Sequence, residues 1–166
     1  MEVFPVEIAL RGETIWLGWV SLDDGDEFFL TNNGCLIFSC SGKNGLMQEA
    51  LKVFPDAKFD VESFFDFDSI IEGLDGSVVL EDDFALNVWN LLTDLYHTFG
   101  GEDKMFFESH LEVYSRLFSQ SEVAPLVDVQ KVQLSKHDKE AVREVLLEGI
   151  ELLTQKIRIA KAAQSH

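Results

Sequence analysis

The chain has 166 residues, carries 30 Asp plus Glu against 13 Lys plus Arg, and so has a net charge of -17 at pH 7 and a pI near 4.4. Apolar and aromatic residues supply 46% of it, with 14 Phe alone, which is enough to build a core and lies outside the composition of disordered chains. Such an acidic surface repels nucleic-acid phosphates and anionic lipid headgroups, whose binding needs clustered Lys and Arg, so neither is an expected partner.

Further exclusions come from the apolar pattern. No run of about 18 apolar residues is present to span a membrane, and the start, Met1-Glu2-Val3-Phe4-Pro5, has no basic segment followed by an apolar one, as a secretory signal would. The expectation is one cytoplasmic domain over residues 1–166.

In chain order, Val3–Leu10 and Thr14–Leu22 read as strands joined by a polar turn at Arg11-Gly12. Glu27–Thr31 and Cys35–Cys40 read as two more, joined by Asn32-Asn33-Gly34, a tight-hairpin signal because Asn and Gly tolerate positive φ. As ends of one strand, Cys35 and Cys40 would stand roughly 17 Å apart, beyond the roughly 7 Å reach of a disulfide. Leu46–Phe54 has a helical pattern stopped by Pro55; Phe59–Phe67 is aromatic-rich and ambiguous between strand and loop. Asp68–Leu74 suggests one or two helical turns and Ser77–Leu80 a short strand.

The period then changes. Phe84, Val88, Leu91, Leu92, Leu95 and Phe99 recur at three- and four-residue steps, with Asp82 or Asp83 as a cap and Gly100 after the last turn. Phe106–Ser119 repeats the stripe, and Val127–Leu134 suggests a last strand or an extended tie. A long final helix opens at Ser135 with Asp138 in a capping-box position, and Val142, Leu146, Ile150, Leu153, Ile157 and Ala160 form its inner face. The predicted fold is α+β: an N-terminal antiparallel sheet of four to five strands, about three principal helices, and a long C-terminal helix.

Charge is as unevenly placed as structure. Residues 1–120 hold 23 acids and 6 bases, whereas residues 121–166 hold 7 of each. An acidic body of 120 residues therefore carries a balanced helical segment. Residues 22–83 alone contain 15 acids and 3 bases. Surfaces that are merely solvated more often mix the signs.

Catalytic signatures are sparse. The histidines, His97, His110, His137 and His166, form no i,i+4 zinc pair; Cys35 and Cys40 lack a second cysteine pair; and no phosphate-binding glycine loop or Gly-x-Ser-x-Gly occurs. The acids lack the alternate-position pattern of an EF-hand. No cofactor or metal is expected, and the reading is of a protein that is not an enzyme. A metal-dependent or carboxylate-based small enzyme stays open as an alternative, as does a cytosolic adaptor or scaffold domain; oligomeric state is not encoded.

Concentrated like charge destabilises a fold, and its most direct use is steering toward a basic partner. Phe28, Phe29, Phe64, Phe65 and Phe67 interleave with the acids and suit desolvated anchors inside a charged rim. With the loop Asp23-Asp24-Gly25-Asp26-Glu27 and the segment Asp66-Phe67-Asp68-Ser69-Ile70-Ile71-Glu72, this small acidic chain resembles the immunity proteins of bacterial contact-dependent inhibition and related polymorphic toxin systems. The resemblance implies a cytosolic antidote that binds one toxin domain, often a nuclease, and blocks its active site or substrate path; the acidity suits a cationic one. The expected contact residues are Asp23, Asp24, Asp26, Glu27, Asp66, Asp68, Glu72, Asp75, Glu81, Asp82 and Asp83.

Overall fold

A computed structural model describes residues 1–22, 27–74, 82–100, 110–121 and 132–164. The predicted strand at Ser77–Leu80, the start of the predicted helix at Phe106 and most of the Val127–Leu134 segment lie outside the described residues.

Two nine-residue strands, β1 (Glu2–Leu10) and β2 (Glu13–Ser21), pair antiparallel along their whole length, from Glu2↔Ser21 to Leu10↔Glu13. The register leaves only Arg11 and Gly12 in the turn, with φ of 54° and 75°. Two consecutive positive φ values match the twist of the flanking strands. Alternation along both strands sends Val6, Ile8, Leu10, Ile15 and Leu17 to one face and Val3 and Val20 to the other, where they join two separate cores.

The remaining strands flank this pair. β3 (Glu27–Phe29) and β6 (Phe38–Ser39) pair with β2, and between them β4 (Thr31–Asn32) and β5 (Cys35–Leu36) form a hairpin of their own. Asn33 and Gly34 supply its turn with φ of 52° and 76°, as the Asn-Gly signal predicted. The two expected strands are each divided, because the chain changes partner. Leu30 N–H donates to the Gly18 carbonyl and Ile37 N–H to the Leu30 carbonyl, closing the hairpin at its base. Both cysteines are free.

α1 (Lys43–Val53) then crosses the face that carries Val3 and Val20 and buries Leu46 and Ala50 there. This crossing takes the chain from the β2 edge to the β1 edge. β7 (Lys58–Phe59) and β8 (Ser63–Asp66) therefore pair with β1 in parallel. The six-stranded sheet is mixed rather than wholly antiparallel, a direction set by the crossover and invisible in the local pattern.

The opposite face packs against α2 (Phe67–Glu72), α3 (Asp82–Phe99), α4 (Leu111–Gln120) and α5 (Lys136–Gln164). The predicted stripe of α5 is buried throughout, and Gly100 (φ 59°) ends α3 by donating its N–H to the Tyr96 carbonyl. At the start of α5, Ser135 Oγ accepts the Asp138 N–H at 3.1 Å while Asp138 Oδ2 accepts the Ser135 N–H at 2.9 Å, the reciprocal capping box. Arg116 of α4 donates to the other Asp138 oxygen at 2.7 Å and so joins the two helices.

Candidate interaction surface

The predicted acids divide by what their carboxylates already hold. Asp23, Asp24, Asp26, Asp75 and Glu81 lie outside the described residues. Asp82 is the first residue of α3, and Asp83 follows it, half-buried. Glu72 is exposed at the last position of α2.

Asp66 and Asp68 are occupied within the chain. Asp66 caps α2, accepting the Ser69 N–H at 3.0 Å and the Ser69 hydroxyl at 2.7 Å. The Ser69 N–H, followed by its hydroxyl, holds this carboxyl below its ordinary range by stabilising the charged form. Asp68 accepts the backbone N–H groups of Arg11 and Gly12, the latter at 2.8 Å. Around the same turn, Arg11 pairs with Glu151 of α5 at 3.1 Å and Glu13 pairs with Lys161. The β1–β2 turn is thus held from α2 and from α5.

Glu27 faces a different environment. It opens β3, paired with Ser21, and lies within electrostatic reach of Asp94 on α3. Asp94 is 8% exposed, and its Oδ2 accepts the indole N–H of Trp19 at 3.0 Å. Burial first, then the negative charge of Glu27, push the Asp94 carboxyl up to about 7, against the indole hydrogen bond that favours its charged form. Asp94 was not among the predicted site residues. Its signal is a lone acid between Leu92 and Leu95, on a helix otherwise striped for burial.

Of the five interleaved aromatics, Phe29 and Phe67 are core, Phe28 and Phe65 are half-buried, and Phe64 is 58% exposed. Phe64 lies beside Glu7 across the β1–β8 ladder, and Glu7 lies beside Trp16 across β1–β2. Trp16, Glu7 and Phe64 therefore form one row on the sheet face that α1 partly covers. Val61, 73% exposed, precedes it, with exposed Asp60 and Glu62 on either side. Lys43 is paired with Glu62 at 3.1 Å. The arrangement is an apolar centre inside an acidic rim.

Cavities elsewhere have a different character. One of about 330 Å³ includes Asn33, Cys35, Lys52 and Ala160 in its wall, and another of about 530 Å³ includes Cys40, Gln48, Glu49 and Gln164. Neither gathers the predicted acids. Among the described residues, no three His, Cys, Asp or Glu side chains are grouped as a metal ion would require, and no helix is long and apolar enough to cross a membrane. No protein-family model, curated protein or solved structure matches the chain.

Proposed function

We propose that this chain is a noncatalytic, acidic binding protein that neutralises a cationic protein partner, as an immunity protein occupies the basic active site of its cognate toxin domain. The supporting observation is the exposed pair Val61 and Phe64 within the rim of Asp60, Glu62 and Glu7, on a body whose net charge is -17. Apolar anchors that lose water on contact supply affinity, while surrounding charge sets encounter rate and orientation. A nuclease domain suits such a surface, because a site that holds phosphates presents the opposite charge. The acids at 23–27 and 75–83 add to the net negative charge that steers the encounter.

The test is association with purified cationic toxin domains, nucleases first, followed by stopped flow at about 50 mM and about 500 mM salt. The association rate should fall at least about tenfold over that range while dissociation changes little. Complexes whose association rate ignores salt would remove charge as the basis of recognition.

A further inference from the structure

Asp94 sits where α3 meets the rung formed by Trp19 of β2 and its cross-strand partner Phe29 of β3. Three hydrogen bonds converge there. Trp19 Nε1 donates to Asp94 Oδ2 at 3.0 Å, the Phe29 N–H donates to Thr98 Oγ1 at 2.8 Å, and Thr98 Oγ1 donates to the Asp94 backbone carbonyl at 2.7 Å. The Trp19 ring also packs on Phe4, 5.5 Å between centroids. One turn of α3 therefore holds both β2 and β3, and Asp94 contributes to both attachments.

The charges around this carboxylate do not balance it. β3 presents Glu27, α4 presents the Tyr114 phenol, and β2 presents only the neutral indole. On α3 itself, His97 is exposed. From α5, the ammonium of Lys156 is engaged over the Phe99 ring, 4.2 Å from its centroid, at the C-terminal end of α3. Among the described residues no cation pairs with Asp94. A buried carboxylate with a neutral donor and a second carboxylate nearby is stable when protonated, and strained once it ionises.

We infer that Asp94, facing the charge of Glu27, is a proton-operated clasp: protonated, it holds β3 against α3, and ionised beside Glu27 it loosens the β3 edge of the sheet. The proton enters and leaves through solvent, since Asp94 retains a small exposed fraction. Glu27 is the first residue of β3 and directly follows Asp23, Asp24 and Asp26 in the sequence, so the clasp acts on the end of β3 next to that acidic run. The inference does not depend on the proposed partner.

The experiment is a pH titration of the isolated protein by NMR, from about pH 5.5 to 8.5, following the Trp19 indole N–H and the Phe29 amide, with exchange protection measured at both ends. Both resonances should move together with a midpoint near neutrality, and Phe29 protection, corrected for intrinsic exchange, should drop about tenfold at the alkaline end. Asp94→Asn should abolish the joint inflection and keep Phe29 protected throughout; Glu27→Gln should move the midpoint to lower pH. Imidazoles also titrate in this range, so His97→Gln serves as a control and should leave the inflection in place. A titration without joint movement, an inflection that survives Asp94→Asn, or one that disappears in His97→Gln would each overturn the clasp.

Discussion

The carboxylate of Asp68 reaches across 56 positions of sequence to accept the Gly12 N–H at 2.8 Å, and so joins the first turn of α2 to the β1–β2 turn. Arg11 also donates its N–H to this group while holding a φ of 54°, a conformation that L side chains seldom adopt. Asp68→Ala leaves both donors to water and should cost about 1–2 kcal/mol, lowering Tm by about 5 °C. Asp68→Asn keeps one acceptor oxygen and should lose less. Thermal melts of the two variants decide this; a neutral Asp68→Ala would mean that the turn holds itself.

α3 and α5 come into close contact at Gly149. A Cβ built there would lie 2.6 Å from Leu92 Cδ1 and 2.9 Å from Leu92 Cβ, closer than real contacts allow. Alanine favours helix over glycine by about 1 kcal/mol, but crowding a packed core costs about 1–3 kcal/mol. Because one clash is with Leu92 Cβ, near the backbone, overlap should win. Gly149→Ala should destabilise the protein by about 1 kcal/mol in urea melts, and Leu92→Ala combined with Gly149→Ala should be less destabilising than the sum of the two changes.

The capping box of α5 carries a charge at its centre. The Arg116 guanidinium first, then the Ser135 N–H and hydroxyl, hold the Asp138 carboxyl down to about 2. An acid whose folded pKa is depressed adds stability above its unfolded value near 4, and loses it as pH falls toward 2. Asp138→Asn should therefore lower the urea midpoint at pH 7, and the gap to wild type should narrow between pH 4 and pH 2. Ser135→Ala should cost about 1 kcal/mol. A constant gap across that acid window would exclude the ionised Asp138 as the source of the stability.

Asp94 has the opposite sign. Its folded pKa lies above the unfolded value, so the stability it contributes is complete below about pH 4 and is lost as pH rises through about 7. Asp94→Asn keeps an acceptor for the Trp19 indole without the charge. It should raise Tm at pH 8 by about 5 °C and change it little at pH 5. Equal gains at both pH values would assign the effect to packing instead.

At the proposed contact face, Phe64→Ala should speed dissociation from a cationic partner at least about tenfold, as loss of a central aromatic anchor does. Asp60→Asn with Glu62→Gln should instead slow association and flatten its salt dependence. Neither change should lower Tm appreciably, because Phe64, Asp60 and Glu62 are exposed. Unchanged binding in both variants would move the contact to another acidic surface.

Local chemistry made much of this fold legible. The turn at Arg11-Gly12 follows from a polar break between two strand patterns and that at Asn33-Gly34 from residues that accept positive φ, and the α5 stripe and its Ser135–Asp138 cap follow from helical spacing alone. Strand direction was not legible: β7 and β8 run parallel to β1 because α1 crosses the sheet, and no residue within 58–66 encodes that crossing. The Asp66 cap is a local relationship over three residues, which the run Asp66-Phe67-Asp68-Ser69 carries in its spacing. The grip of Asp68 on Gly12 and the burial of Asp94 under Trp19 join residues 56 and 75 positions apart, and acids counted along the chain look alike until the fold assigns some of them inward.

The contacts of the first hairpin also set an order of events in synthesis. Arg11 and Glu13 find their charged partners in Glu151 and Lys161, 140 and 148 positions later, and the strand core closes on the buried stripe of α5. A nascent chain that has completed its strands must leave the part of the core that α5 covers open until α5 leaves the ribosome. Nonlocal closure of this kind slows folding and lengthens exposure to association with other chains. A dense negative charge on the earlier residues keeps nascent chains apart by mutual repulsion during that interval.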